Sequence, residues 1–237
     1  MRQDGCMAQI QAIEENTLTY YKGIARLLDG RFIETDEIAW FTTGRQSLYR
    51  FNGVVRIATR PEKLGKLADP ILETFLSKNL PFFWANFPDG GTPGLGDYLN
   101  SKHFRWETFK GMPCMSRGLD DLPEVSLPKE VELALVQSPQ DRADWLNVLM
   151  EGFEEPEPSR PDFQQILANS LTESKPVFEH FLACWQGEPC AVSPHRFSIF
   201  VSFALLTCLL KNVITADAGR YRELRYPGAR WAGRTLG

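Results

Sequence analysis

The sequence contains no C-x-x-C pair. Its five cysteines, Cys6, Cys114, Cys184, Cys190 and Cys208, are odd in number and scattered, which argues against both a zinc site and a disulfide framework. A reducing, cytoplasmic setting is therefore expected. Histidine is equally scarce: His103, His180 and His195 lie far apart and lack metal-ligand spacing, so no metal is expected and none of the three is assigned a catalytic role. Positive charge is not in excess. A formal net charge of −4 and a pI near 5.5 provide no field to hold a phosphate backbone, which excludes nucleic acid as the expected partner and suits an amine better. No apolar run spans a bilayer: Phe197 to Leu210, bounded by Arg196 and Lys211, falls short of the ~20 residues required. It reads as a buried strand or helix, with a membrane-associating segment as the rival reading. The first 23 residues carry Asp4, Glu14 and Glu15 and no apolar h-region, so they do not read as a secretory signal. G-x-S-x-G, G-x-G-x-x-G and a Walker lysine are all missing; Gly90-Gly91-Thr92-Pro93-Gly94-Leu95-Gly96 reads as a connecting loop.

What is present is packing material. Hydrophobic residues make up 43% of the chain, and 16 Phe with 6 Trp are enough to fill one large core or two modest ones. Apolar positions from Ile10 to Leu28 follow a mostly helical spacing closed by Asp29-Gly30, which predicts an opening helix. A short aromatic strand is expected over Glu37 to Thr42. Asn52-Gly53, set between Leu48-Tyr49-Arg50-Phe51 and Val54-Val55-Arg56-Ile57, predicts a hairpin over Ser47 to Ala58. Pro61 opens a helix through Leu76, Leu80 to Phe87 reads as a buried strand, and Gly94 to Lys102 as a short helix. Phe104 to Phe109 and Pro113 to Gly118 supply two further strands, and Asp120 to Lys129, with Pro123 and Pro128, makes a boundary.

A second unit begins at the alternating Val131 to Val136. Ser138-Pro139-Gln140-Asp141 then places a capping hydroxyl, a proline at the first helical position and an acid in the first turn. The helix it opens is expected to run to Phe153, burying Trp145, Leu146, Leu149 and Met150. A Pro- and Glu-rich loop from Glu154 to Pro161, a helix from Asp162 to Glu173, and a hairpin turning at Gln186-Gly187 complete the readable pattern.

The second unit, with Glu151-Gly152-Phe153 closing its first helix and Phe181-Leu182-Ala183-Cys184-Trp185-Gln186-Gly187-Glu188-Pro189-Cys190-Ala191-Val192-Ser193 forming a hairpin, resembles the opening of a GNAT-type N-acetyltransferase domain. Upstream, Phe51-Asn52-Gly53-Val54-Val55, Leu80-Pro81-Phe82-Phe83-Trp84, Leu95-Gly96-Asp97-Tyr98-Leu99, and Gly111-Met112 leading to Leu119-Asp120-Asp121-Leu122-Pro123 resemble the degenerate half-domain of two-part members. The resemblance covers roughly four fifths of the chain, and the order of the strings carries more than any one of them. It implies an α/β (α+β) fold, a mixed β-sheet flanked by helices of the acyl-CoA N-acyltransferase type. The expected units are 1–125 (leading half-domain), 126–193 (start of the acetyltransferase domain) and 194–237 (an atypical apolar run and Gly/Arg-containing tail).

The resemblance also implies acetyl-CoA as cosubstrate and transfer of its acetyl group to a small-molecule or peptide amine. The family holds the cofactor pyrophosphate on a glycine-rich loop at a helix N-terminus, since only small residues let the backbone approach an anion closely. Its pattern of Arg or Gln, two residues, Gly, one residue, Gly or Ala does not follow Ser193, so no cofactor-binding residue is assigned and the second unit is expected to be truncated.

Candidate substrate-binding residues are Phe153, Glu154 and Trp185, because the corresponding region of the family borders the acceptor site. Core packing is the competing reading for Phe153 and Trp185. The acids Glu151, Glu154, Glu155 and Glu157 read either as a lure for a cationic amine or as a solvated loop. Cys190 reads as a small buried hydrophobe. The alternative to an enzyme is a non-catalytic remnant or interaction module of the same fold, whose exposed sheet edge pairs with another chain and gives a homo-oligomer.

Overall fold

The computed structural model describes residues 3–85, 92–104, 126–174, 176–196, 203–204 and 207–208. The strands expected over Phe104 to Phe109 and Pro113 to Gly118, most of the Asp120 to Lys129 boundary, and the tail lie outside the described residues.

Helix α1 (Gln3–Leu27) starts earlier than its apolar pattern and buries Leu18, Ile24, Ala25 and Leu27. Strands β1 (Arg31–Glu34) and β2 (Ile38–Thr42) form a hairpin whose turn is closed by Thr35, its hydroxyl accepting the N–H groups of Glu37 and Ile38. A single 3-10 turn at Tyr49–Phe51 leads into β3 (Asn52–Ile57). Helix α2 (Pro61–Ser77), β4 (Phe83–Trp84) and α3 (Leu95–Ser101) follow. The sheet order is β1-β2-β3-β4. Strand β4 is parallel to β3 with α2 as the crossover, so this sheet is mixed.

The Asn52-Gly53 dipeptide does not make the expected hairpin. Asn52 is fully buried in extended backbone, with φ −145°. Its side-chain oxygen accepts from the Thr42 hydroxyl (2.9 Å) and the Thr43 and Gly44 N–H groups, while its amide donates to the Arg45 and Pro81 carbonyls (2.8 and 3.0 Å). It thus ties the β2–β3 connection to the approach to β4. Glycine follows because of a neighbour rather than a turn: a Cβ on Gly53 would sit 2.5 Å from Phe83 Cε1. Of the strand expected over Leu80 to Phe87, Phe83 and Trp84 are in register with β3 and the Ala85 N–H donates to the Val54 carbonyl, while residues 86 and 87 lie outside the described residues.

The second unit starts with β5 (Val131–Leu135). Helix α4 (Pro139–Gly152) then opens on a full capping box, in which Ser138 Oγ accepts the Asp141 N–H and the Asp141 carboxylate accepts the Gln137 and Ser138 N–H groups. Those two backbone donors are the main cause that lowers the Asp141 pKa. Helix α5 (Arg160–Thr172) precedes the hairpin of β6 (Glu179–Trp185) and β7 (Glu188–Arg196), which turns through Gln186 (φ 52°) and Gly187 (φ 85°). Short strands β8 (Phe203–Ala204) and β9 (Thr207–Cys208) both pair antiparallel with β7. Within the apolar run from Phe197 to Leu210, the described residues are thus strand. The order is β5-β6-β7-β8.

Four helices stop in the same way. After α1, α2, α3 and α4 a left-handed residue, Asp29, Asn79, His103 and Glu154 respectively, lets the next N–H reach back to a carbonyl five residues earlier. These bonds are Gly30 to Ala25, Leu80 to Phe75, Phe104 to Leu99 and Glu155 to Met150. This is the Schellman geometry, built each time without its usual glycine.

Among the described residues, three clusters form the core. One joins α1 to β2, β3 and α5; a second lies between β3 and α2–α3; a third packs α4 and α5 on β6 and β7. Helix α5 serves two of them, with Ile166 in the first and Leu167 in the third, so the two units share a helix. Where α1 meets the start of β6, Gly23 admits the neighbour: a Cβ there would lie 2.5 Å from Val177 Cγ1. No described helix is long and apolar enough to cross a membrane.

Candidate functional site

The seam between the two units brings charged and aromatic side chains together at the end of α4. Phe153 caps that helix, half-buried against the third core cluster, and the Arg50 guanidinium carbon stands 5.8 Å from its ring centroid. Arg50 comes from the 3-10 turn before β3 and pairs with Glu155, whose side chain is only 4% exposed. The acidic stretch is therefore not uniformly solvated: Glu155 is neutralised across the seam, and Glu157 is held by Arg160 at 2.8 Å, which lowers its pKa.

Glu154 stands apart. It occupies the left-handed position with φ 52° and its side chain faces solvent. Phe153 and Glu154 thus share the seam, an apolar ring beside a hydrated carboxylate, which suits the two ends of an alkyl ammonium group.

Trp185 is elsewhere. On β6, Leu182 and Cys184 face α4 and α5, so strand alternation sends Trp185, paired with Val131 and Glu188, to the opposite sheet face. The structure brings two of the three candidate residues together and not the third.

Beneath the seam, Tyr20 and Tyr21 meet edge to face at 5.1 Å, and Tyr21 stacks on Phe41 at 4.9 Å. Desolvation raises both phenol pKa values, and the Arg50 charge opposes the rise. Further along, the Asp162 carboxylate at the start of α5 accepts from the Ser47 hydroxyl and pairs with Arg45 Nε at 3.3 Å. Arg45 Nη2 also donates to Gln165 Oε1 at 2.6 Å, and Gln165 donates to Asp29 at 2.8 Å. Reading the sequence missed Arg50, Arg45 and Asp162 as seam residues, because each answers a partner more than a hundred positions away.

No described group makes a convincing nucleophile. Ser170 Oγ lies 2.6 Å from His180 Nε2 and 3.0 Å from the Leu167 carbonyl, and both residues are buried away from any substrate, at 1% exposed. Burial lowers the His180 pKa to about 4, so it is neutral at pH 7 and structural. Burial raises the Cys184 thiol pKa, which disfavours a reactive thiolate. Cys190 is half-buried and donates weakly to the Ala183 carbonyl at 3.4 Å. Among the described residues no group of His, Cys, Asp and Glu is arranged to hold a metal ion.

No protein-family model matches the sequence, and no curated protein does. A solved structure does match: a GCN5-related N-acetyltransferase from Kribbella flavida, with a TM-score of 0.52 and 14% identity. The match covers 84% of this chain and 75% of that one. At that identity the likeness shows the fold, an α/β architecture of the acyl-CoA N-acyltransferase type with helices flanking its sheets.

Proposed function

We propose that this chain is an N-acetyltransferase-like protein that transfers an acetyl group from acetyl-CoA to a small-molecule or peptide amine. The observation that carries the reading is the fold likeness over 84% of the chain, which extends through both units. Composition supports an amine acceptor over nucleic acid, since the chain is net acidic. On the acceptor side, Glu154 draws the ammonium group and Phe153 covers its alkyl part. The acetylated nitrogen must first lose a proton, and no base is assigned to take it.

On the donor side, none of the described residues is assigned to the pyrophosphate of acetyl-CoA. Among the described residues β7 is followed by the short strands β8 and β9 and by no helix N-terminus, and the sequence after Ser193 lacks the glycine pattern.

The deciding measurement is an equilibrium titration of the purified chain with acetyl-CoA, followed by mass spectrometry of a panel of alkyl amines and peptides incubated with both. Saturable binding and a mass increase of one acetyl group are expected. A folded chain with no saturable acetyl-CoA binding overturns the proposal and leaves an interaction module of the same fold.

A further inference from the structure

We infer that strand β5 is the interface of a two-fold symmetric homodimer, in which the second sheet runs on from one copy into the next.

The backbone sets the edge. The Val136 N–H donates to the His180 carbonyl and the Glu130 carbonyl accepts from the Gln186 N–H, each at 2.8 Å, so the even-numbered residues of this segment face β6. Alternation then turns the amides of Val131, Leu133 and Leu135 outward. Among the described residues β6 is the sole strand partner of β5, which stands at the end of its sheet.

The side chains are unsuited to water. Leu133 is 55% exposed and Leu135 40% exposed, on the face turned away from α4 and α5, where a solvated strand would carry polar residues. The edge of the other sheet shows the contrast. There β1 begins at Arg31 and ends at Glu34, and Glu34 is paired with Lys22 and Arg56. Charges of this kind block edge pairing, whereas the single charge in β5 is Glu132.

The occupant follows from the symmetry of the strand. A two-fold axis through Leu133 sets Leu133 against its own copy, Val131 against the partner's Leu135, and Glu132 against the partner's Ala134. The three outward-facing residues then pair amide to amide, the apolar face continues without a break, and no like charges meet. Shifting the axis to Glu132 would oppose two carboxylates. β5 therefore complements itself.

The test is sedimentation velocity of the full chain across a dilution series, beside Leu133→Lys with its fold checked by circular dichroism. The expected result is a dimer that dissociates on dilution and a folded Leu133→Lys chain whose dimer midpoint rises by at least roughly tenfold. Leu133→Cys supplies a second readout that does not need the lysine variant to fold: oxidation should yield a 133–133 disulfide, located by peptide mapping. A wild-type monomer at every concentration, a folded Leu133→Lys chain that dimerises as wild type, or an oxidised Leu133→Cys chain with no 133–133 linkage overturns the inference.

Discussion

Arg50 and Glu155 form an ion pair across the seam between the two units, and the pair is lopsided: the arginine side chain is 36% exposed and the glutamate 4%. Removing the arginine leaves a buried carboxylate without a counter-charge, whereas removing the glutamate leaves a guanidinium that reaches water. Arg50→Ala should therefore cost about 3 kcal/mol and Glu155→Ala distinctly less. Urea melts of both single variants and the double variant check this, with the double variant closer to Glu155→Ala than to Arg50→Ala.

His180 sets an acid limit on stability. Its folded pKa is about 4 against 6.5 for the free side chain, so the unfolded chain takes up the proton first. The native state keeps its full stability above pH 6.5 and loses it as pH falls from 6.5 towards 4, by about 3 kcal/mol in all. Asp141, Glu157, Glu37 and Asp69, whose pKa values are lowered, lose their contributions further down, as pH falls below about 4. Urea melts between pH 4 and 7.5 should show the upper slope in the wild type and a flat line in His180→Leu.

Glu154 separates stability from use. A left-handed backbone is unfavourable for a side chain that carries a Cβ, so Glu154→Gly should raise stability by about 1 kcal/mol, read as a higher urea midpoint. If the carboxylate draws the amine, the same variant raises KM for a cationic acceptor while the chain becomes harder to unfold. An unchanged KM removes Glu154 from the acceptor site.

Gly53 is held by its neighbour. Gly53→Ala should destabilise the chain by about 2 kcal/mol, because its methyl group meets the Phe83 ring. Adding Phe83→Leu should recover part of that loss. Thermal melts of the two singles and the double give the coupling, and additive losses would contradict the contact.

Much of the second unit could be read locally. The capping box at Ser138 and Asp141 and the turn at Gln186-Gly187 are each made by residues within a few positions of one another, so their chemistry is visible in a short string. The first unit was harder. Asn52-Gly53 has the composition of a turn, yet its partners are Thr42, Pro81 and Phe83, and long-range burial overrode the local preference. Strand β1 escaped because its four residues carry two charges. Of the candidate site, Phe153 and Glu154 were placed by the end of α4, but Trp185 was separated from them by strand parity, which a one-residue change in register would have reversed.

The shared helix bears on how the protein melts and how it can be cut. Ile166 and Leu167 are consecutive residues of α5 that belong to different cores, and Phe178 extends the first of these from the far side of the boundary. A fragment starting near residue 126 would turn Ile166 and Phe178 out to solvent, and a fragment ending there would leave α1 without its cover. The two halves, separable as strings of letters, should therefore unfold in one calorimetric transition. Neither is a module that could be lent to another protein intact.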